Sequence, residues 1–360
     1  MAAAAERDVD VLVIGLGPGG ASAALTAARA GGRVLGVDRN QRIGEPVQCA
    51  EFVPRPMGGY ARDEGVLRQT IDGMKTVLPS GTVEHSAFPG LMIDRAAFDR
   101  AIAERAADAG ATLETGTRLV ALDRVERTAT LRGSDGEETT VRFGAIIGAD
   151  GPRSPSAALA GLPELRTVQT RQYTVPLLKP YTDTDVWLSD DFPGGYAWLF
   201  PRGDMANLGL GIDKRVDRDL KAPLDGLHAQ LVEQGLVGET ILGRTGGAIP
   251  VGGLRERLYV DGPLLLVGDA AGLTHPITGA GISAAVVSGE LAGRAAMGWL
   301  QGDPEALDDF EEDVRDQFEA SVQRGVRRRL QLDRLWRTPA AHDDAAMRRG
   351  WIAFNDYFAA

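Results

Sequence analysis

Residues 264–281 read LLLVGDAAGLTHPITGAG and decide the fold. An apolar run of strand length ends at Gly268 and Asp269, and Pro276 precedes a turn of three small residues, Gly279, Ala280 and Gly281. An apolar helix is predicted to begin there. An acidic side chain at a strand end, beside a helix start without bulky side chains, suits a polyol and a diphosphate that approach the backbone. The remaining parts of such a site are expected in distant segments.

The N-terminal segment supplies the first of those parts. Residues 10–14, DVLVI, form an apolar run suited to a strand buried on both faces. A G-x-G-x-x-G pattern follows, then an Ala-rich helical stretch and a second strand at 33–37 that ends in Asp38. The glycines of the pattern are Gly15, Gly17 and Gly20. This order of strand, tight turn, helix, strand and acid is the dinucleotide-binding fingerprint.

Each residue of this fingerprint has a physical role. Gly15 permits the turn, Gly17 lets a diphosphate approach the backbone, and Gly20 lets the helix pack on the strand. The helix N-terminus directs free N–H groups at the phosphates. Asp38, with Arg39 beside it, is predicted to contact the cofactor, and its carboxylate would accept hydrogen bonds from an adenosine ribose. An acid at this position disfavours NADP, because it would repel a 2′-phosphate.

A third segment has the same character. Residues 145–151, AIIGADG, form an apolar strand that ends in Asp150 and Gly151. The three segments together resemble the FAD-dependent oxidoreductases of the aromatic-hydroxylase fold. The resemblance implies FAD, with the N-terminal motif at the ADP moiety, Asp269 at the ribityl hydroxyls, and the loop from Pro276 to Gly281 beside the flavin ring. It also implies that Arg95 helps to hold the cofactor; the alternative is a solvated arginine at a helix start.

Two further segments indicate a narrower resemblance. Residues 44–51 read GEPVQCAE, and residues 194–201 read GGYAWLFP. Together they are similar to the geranylgeranyl reductase family, whose members hydrogenate isolated C=C bonds of isoprenoid chains. The resemblance covers roughly residues 8–300. Ala50 stands where the family commonly has glycine after the cysteine, and this departure weakens the substrate assignment more than the cofactor assignment.

Three side chains are candidates for proton chemistry. Cys49 carries a thiol whose ordinary pKa is about 8.5, so it can donate a proton or pack against an alkene. Glu51 is predicted to orient the thiol or a water molecule, and His275 to hydrogen-bond the flavin or serve as an acid. The alternatives are a small buried apolar residue for Cys49, a surface carboxylate for Glu51 and an ordinary loop residue for His275.

An aromatic face is predicted for the substrate. Tyr196, Trp198 and Phe200 alternate along a predicted strand and therefore share one face. We interpret this face as a flat apolar wall for an isoprenoid or aromatic substrate; the alternative is ordinary sheet core.

Composition limits the function classes. The net charge of −11 argues against a nucleic-acid partner. The single cysteine excludes an internal disulfide and a Cys-rich metal site, and no His/Asp/Glu cluster has metal spacing, so no metal is expected. The chain has neither a signal-peptide pattern in residues 1–8 nor an apolar run of about 18 residues. A cytoplasmic enzyme is expected. The arginine- and tryptophan-bearing segment 323–357 predicts peripheral membrane contact or, alternatively, a helix packed on its own domain.

The predicted architecture is mixed α/β. Segments 8–65, 93–165 and 251–300 are expected to form a discontinuous, Rossmann-like FAD-binding domain. Segments 66–92 and 166–250 are expected to form an inserted antiparallel β-sheet domain that binds substrate, followed by C-terminal helices over 301–360. The leading hypothesis is reduction of a C=C bond by hydride transfer from N5 of reduced FAD. A flavin monooxygenase using O2 and an electron-transfer protein without organic turnover are the alternatives.

The electron donor stays open at this stage. No second G-x-G-x-x-G fingerprint is present for a nicotinamide cofactor. NAD(P)H that binds transiently, ferredoxin as a redox partner, and free reduced flavin are all compatible with the sequence.

Overall fold

The structure is a computed structural model that describes residues 6–216, 219–261, 263–336 and 338–359. Arg337, one of the arginines of the basic C-terminal segment, lies outside the described residues.

The strands are, in chain order, β1 Glu6–Ile14, β2 Val34–Asp38, β3 Phe52–Pro54, β4 Leu67–Ile71, β5 Gly73–Val77, β6 Val83–Ser86, β7 Gly90–Ile93, β8 Thr112–Thr115, β9 Arg118–Asp123, β10 Thr128–Arg132, β11 Glu138–Gly148, β12 Thr167–Pro176, β13 Asp183–Trp187, β14 Ala197–Arg202, β15 Met205–Asp213, β16 Gly243–Thr245, β17 Ala248–Pro250, β18 Tyr259–Val260 and β19 Leu264–Leu266. The helices are α1 Pro18–Arg29, α2 Arg95–Asp108, α3 Pro155–Leu159, α4 Lys221–Glu233, α5 Gly268–Ala271, α6 Ile282–Leu300, α7 Ala306–Asp333 and α8 Asp344–Gly350.

The first sheet carries the three strand-end motifs. Its main path runs β18-β19-β11-β1-β2-β8, and β1 is parallel to both β2 and β11 while β11 is parallel to β19. Ile14 at the end of β1 lies opposite Gly148 of β11, and Gly148 lies opposite Leu266 of β19. Ligands of open parallel sheets bind beyond the carboxyl ends of the strands. The motifs after β1, β2, β11 and β19 therefore meet at one edge.

The second sheet covers that edge from the other side. Its main path runs β16-β12-β15-β14-β13-β5-β6, with β17 also paired to β12. The prediction of an antiparallel sheet is wrong at one point, because β5 pairs in parallel with β13. The physical reason is that these two strands come from distant segments and are not joined by a hairpin, so no short turn imposes opposite directions.

A third, small sheet of order β3-β7-β4 joins residues from both sides of the predicted boundary at 65/66. We therefore keep the division into two domains as a proposal. Residues 112–123 form two strands and not one, because Gly116 turns the chain with a φ of 66°. β8 then extends the first sheet, while β9 pairs with β10.

The C-terminal helices pack inward. Trp351, Phe354 and Tyr357 are 3%, 5% and 1% exposed and share a hydrophobic cluster with Trp198 and Phe200 of the second sheet. The predicted helix packed on its own domain is thus present. Within the described ranges, no helix combines the length and the apolar character needed to cross a bilayer.

Candidate active site

The turn after β1 has the geometry that the fingerprint requires. Gly15 has a φ of 94°, and a Cβ there would lie 2.4 Å from the carbonyl oxygen of Ala149. A Cβ on Gly20 would lie 1.7 Å from the carbonyl oxygen of Gly15. No described atom lies within 4 Å of a Cβ built on Gly17, which is the N-cap of α1, and no described side chain caps that helix. Space and unpaired N–H groups are therefore available for a diphosphate.

Asp38 shapes the same turn. Its Oδ2 accepts a hydrogen bond from the backbone N–H of Leu16 at 2.9 Å, and its Oδ1 accepts one from Asn40 N–H at 2.8 Å. Each carboxylate oxygen keeps a second lone pair, so a ribose hydroxyl can still donate to it. The side chain of Arg39 is exposed beside this turn.

Asp150 fastens the loop that closes over Gly15. Its carboxylate accepts hydrogen bonds from Ser154 Oγ at 2.6 Å and from the backbone N–H and Oγ of Ser156, both at 2.7 Å. Burial raises the pKa of Asp150, although these hydrogen bonds oppose the shift. The contacts favour an anchoring role for Asp150. Its neighbour Gly151, with a φ of 81°, lies at the predicted cofactor edge with open space beside it.

Asp269 is a residue of α5 and lies beside the N-terminus of α6. A Cβ on Gly281 would lie 3.2 Å from Asp269 Oδ1, so the missing side chain leaves this carboxylate accessible from the helix end. Thr274 Oγ1 donates a hydrogen bond to the same oxygen. Burial raises the pKa of Asp269, and the hydrogen bond from Thr274 and the charge of Arg95 oppose that shift. Gly268, with a φ of 54°, donates its N–H to Ser288 Oγ at 3.1 Å.

Residues 272–281, which we call the flavin loop, fold around His275. The His275 carbonyl accepts from Gly279 N–H at 2.9 Å, and His275 N–H donates to the Ala280 carbonyl at 2.9 Å. Pro276 is buried, whereas Ala280 is exposed and Gly279 is half-buried. The loop therefore presents the backbone of its last residues outward.

The His275 ring holds this loop from within. Its Nδ1 accepts hydrogen bonds from Ile277 N–H at 3.4 Å and from Thr278 N–H at 3.2 Å. Burial lowers the pKa of His275 to about 4, so the ring is neutral at pH 7. Protonation would place a proton on the nitrogen that these amides use. The contacts favour positioning of the loop over the predicted acid role.

Arg95 is half-buried and ion-paired, unlike the solvated arginine of the alternative interpretation. Its side chain is 19% exposed and makes a bidentate pair with Asp99, with both N···O distances at 2.9 Å. Burial lowers the pKa of Arg95, the Asp99 carboxylate raises it, and the net shift is upward.

Cys49 and Glu51 have different surroundings. Burial raises the pKa of the Cys49 thiol, which keeps it protonated at neutral pH. Glu51 is 1% exposed, so the surface-carboxylate alternative is wrong. Its carboxylate accepts from Arg202 Nη1 at 2.6 Å, Asn207 Nδ2 at 2.8 Å and Arg95 N–H at 3.0 Å. These contacts favour a role for Glu51 in fixing the cysteine segment.

The second sheet holds the cysteine segment in place. Gln172 Nε2 donates to the Cys49 carbonyl at 3.0 Å, and Gln172 Oε1 accepts from Trp198 Nε1 at 3.1 Å. Thr245 Oγ1 donates to the Val47 carbonyl at 2.8 Å. Sequence reasoning missed Gln172 and Thr245, since only the β-sheet domain that contains them was predicted. A polar residue among the apolar positions of that domain is the signal that would have marked Gln172.

The three predicted aromatic residues share one face. Trp198 and Phe200 are buried in one cluster with Tyr196 packed against it, whereas Ala197 and Leu199 face the opposite core. Tyr196 hydroxyl donates to the Thr278 carbonyl of the flavin loop at 2.5 Å. Burial raises the pKa of Tyr196, and the nearby Cys49 adds to the shift. The hydrogen bond of Tyr196 therefore places the aromatic face beside the flavin loop.

These residues fit FAD. The open side of Gly17 and the uncapped start of α1 suit the diphosphate, Asp38 the ribose, and Asp269 with the exposed flavin-loop backbone the ribityl chain and ring. Within the described ranges, no group of three His, Cys, Asp or Glu side chains is arranged to hold a metal ion.

The fold and the site define an FAD-dependent oxidoreductase, and residues 8–199 match the family described as FAD binding domain. Residues 167–247 match the geranylgeranyl reductase catalytic domain. A digeranylgeranylglycerophospholipid reductase of Methanocaldococcus jannaschii is 35% identical over 332 residues, which cover 86% of this chain and 81% of the relative. This chain belongs to the geranylgeranyl reductase family.

Other relatives agree with this assignment. A digeranylgeranylglycerophospholipid reductase of Methanosarcina acetivorans is 36% identical and covers 84% of this chain and 78% of its own. The crystal structure of a geranylgeranyl bacteriochlorophyll reductase-like protein from Thermoplasma acidophilum superposes with a TM-score of 0.86 at 27% identity, over 97% and 93% of the two chains. A probable FAD-dependent monooxygenase from Pseudomonas aeruginosa, at 23% identity and a TM-score of 0.69 over 94% and 100% of the chains, shares the fold.

Proposed function

We propose that this enzyme reduces C=C bonds of an isoprenoid chain carried by a lipid. FAD, when bound, supplies the hydride from its reduced N5. One observation carries the proposal: the aromatic face is tied to the flavin loop by the hydrogen bond from the Tyr196 hydroxyl to the Thr278 carbonyl, and to the cysteine segment by Gln172, which bonds both Trp198 and the Cys49 carbonyl. The names of the archaeal relatives support an isoprenoid lipid as the substrate class.

The side chains divide the remaining tasks. Tyr196, which lines a cavity together with Ile277 and Trp351, contacts the apolar chain, and the buried Trp198 and Phe200 support Tyr196 from the same cluster. Cys49 holds a proton on Sγ and delivers it to the alkene carbon that does not receive hydride, leaving a thiolate that regains a proton from water. Glu51 fixes the segment that carries the thiol. His275 keeps the flavin loop in place.

The decisive experiment is anaerobic turnover. Reduced enzyme is mixed with a geranylgeranyl-bearing phospholipid without O2, and the product is analysed by mass spectrometry for two added hydrogens per double bond. We expect saturation of the chain. We expect Cys49→Ala to keep the FAD spectrum and to lose at least about 100-fold in rate, as for loss of a proton donor. Product that forms only with O2 would support the monooxygenase instead, which the shared fold favours as the second candidate.

The electron donor is part of the proposal. NAD(P)H, reduced ferredoxin and free reduced flavin are each mixed anaerobically with oxidised enzyme, and the flavin absorbance near its visible maximum is followed. The competent donor is the one that reduces the flavin faster than the enzyme hydrogenates its substrate. A donor that reduces the flavin more slowly than turnover is rejected.

We also propose that the exposed part of segment 323–357 contacts a membrane surface. Leu330 is 48% exposed, and Phe358 directly after the segment is 54% exposed with Arg324 over its ring at 5.4 Å. Exposed apolar side chains in a segment rich in arginine suit an anionic lipid surface. The test is co-sedimentation with anionic liposomes; equal binding by the protein and its Leu330→Asp, Phe358→Asp double variant would remove this contact.

A further inference from the structure

The C-terminal helix α7 contacts the flavin loop directly. A Cβ on Gly325 would lie 2.8 Å from Pro276 Cδ and 3.3 Å from His275 Nε2, so the helix approaches as closely as glycine permits. The adjacent turn places Arg329 over the same loop. Its Nε donates to the Pro276 carbonyl at 2.9 Å, and its Nη1 donates to the Gly194 carbonyl at 2.8 Å. One guanidinium thus joins the flavin loop to the segment that begins the aromatic face.

Tyr357 makes a second connection to the loop. Its hydroxyl lies 3.2 Å from His275 Nε2. Because His275 Nδ1 accepts the Thr278 N–H, the neutral ring carries its proton on Nε2 and donates it to Tyr357. The Tyr357 carbonyl in turn accepts from Arg328 Nε at 3.1 Å and Nη2 at 3.0 Å. The C-terminal segment therefore reaches the Thr278 amide through one continuous set of hydrogen bonds.

Burial of a guanidinium costs desolvation free energy, even where the group donates hydrogen bonds to carbonyl groups. Arg329 is 5% exposed, and burial lowers its pKa to about 10, so it stays charged at neutral pH. Asp213 lies 3.7 Å away and also contacts two other arginines. A buried cation is retained at such a cost where its geometry matters, because a planar guanidinium fixes two acceptors at once.

We propose that Arg329 and Tyr357 are positioning residues that hold the flavin loop in the conformation that binds the flavin. The inference rests on the proposed function, since it assumes that this loop contacts FAD. The C-terminal segment then acts on the cofactor through the loop while touching the substrate face through Trp351, whose ring lies 4.8 Å from that of Tyr196.

The test uses full-length variants. Tyr357→Phe removes only the hydroxyl, and Arg329→Lys keeps the charge while losing the fork that binds two carbonyls. Tyr259→Phe and Arg327→Ala are matched controls, because Tyr259 contacts Asp308 far along the same helix and Arg327 is exposed. Two measurements are made: amide hydrogen exchange of residues 277–279 in FAD-free protein, and the FAD dissociation constant by flavin fluorescence.

We expect loop exchange to rise about tenfold and FAD affinity to fall about three- to tenfold in both test variants, the change produced by one buried hydrogen bond. Exchange of the β15 amides should not change, which separates loop loosening from unfolding. Unchanged exchange and affinity in Tyr357→Phe and Arg329→Lys would overturn the inference. Failure of the unmodified protein to bind FAD would instead overturn the proposed function.

Discussion

Burial and partners decide what each polar side chain beside the flavin loop can do. Cys49 has few hydrogen-bond partners and a raised pKa, so it keeps a transferable proton. The Glu51 carboxylate accepts hydrogen bonds from Arg202, Asn207 and the Arg95 amide. His275 is neutral and fixed by backbone amides. Of the three candidates for proton chemistry, the thiol alone therefore holds a proton that it can transfer.

The raised pKa of Cys49 has a chemical consequence. Since the thiolate is the nucleophile, a thiol that stays protonated reacts slowly with alkylating agents. We expect iodoacetamide at pH 8 to modify Cys49 at least about tenfold more slowly in the folded protein than after denaturation. Mass spectrometry of the peptide that contains Cys49 gives both rates. Equal rates would show that burial does not protect the thiol.

His275 predicts a pH dependence of stability. Its pKa is lowered to about 4 in the folded protein from an unfolded value of 6.5, so the unfolded chain binds an extra proton between these values. Stability is therefore complete above pH 6.5 and falls as the pH drops towards 4. From pH 7 to pH 5 we expect a loss of about 2 kcal/mol that His275→Asn does not show. Urea denaturation at the two pH values measures it, with His85→Asn, at an exposed site, as control.

At the scale of elements, the turn between β1 and α1 separates folding from cofactor binding. Gly20 faces the backbone of Gly15, whereas Gly17 faces open space. Gly20 is required by the contact between helix and strand. The fold itself does not require Gly17, and the prediction is that a diphosphate at the helix end does.

Separate alanine substitutions of Gly20 and Gly17 distinguish the requirement of folding from the requirement of cofactor binding. Gly20→Ala should cost about 3 kcal/mol of unfolding free energy, because its Cβ would lie 1.7 Å from the Gly15 carbonyl oxygen. Gly17→Ala should change stability by less than about 1 kcal/mol and weaken FAD binding at least about tenfold. Denaturation of the FAD-free protein and FAD titration give both quantities. A Gly17→Ala variant with normal FAD affinity would place the diphosphate elsewhere.

At the scale of the whole molecule, charges join α7 to the second sheet. Asp213 at the end of β15 contacts Arg166, Arg215 and Arg329, and Asp333 at the end of α7 contacts Arg166 and Arg215. Burial raises the pKa of Asp213. Arg215 and Arg166 lower it by more than burial raises it, so the net pKa is about 2. The carboxylate is therefore charged throughout the physiological range and balances the buried charge of Arg329.

Removal of that charge should loosen the C-terminal segment. Asp213→Asn removes the anion beside the buried Arg329, whereas Arg166 and Arg215 keep Asp333, and we expect a loss of about 3 kcal/mol, the lower end for breaking a buried ion pair. Asp308→Asn is the matched control, because its pair with Arg257 is exposed, and we expect a change below about 0.5 kcal/mol. Guanidinium denaturation measures both. Equal losses in the two variants would contradict a special role for the buried cluster.

The residues predicted to surround the cofactor follow from patterns within single short segments of the chain. Glycine turns, buried strands and acids at strand ends are set by steric and hydrogen-bonding rules within a few residues, so Gly15, Gly17, Gly20 and Asp269 could be recognised locally. The alternation that put Tyr196, Trp198 and Phe200 on one face is equally local. The parallel pairing of β5 with β13 had no local signal, because no short turn joins the two strands.

Only the tertiary structure decided which polar groups are free to act. Gln172 meets Cys49 across 123 positions of the chain, Glu51 meets Arg202 across 151, and Arg329 meets Gly194 across 135. Burial and hydrogen-bond partners at such separations depend on how the sheets and α7 pack, and those terms set a pKa or fix a loop. The physical reason is that backbone geometry is determined over a few residues, whereas the electrostatic environment of a side chain is determined by everything that packs around it.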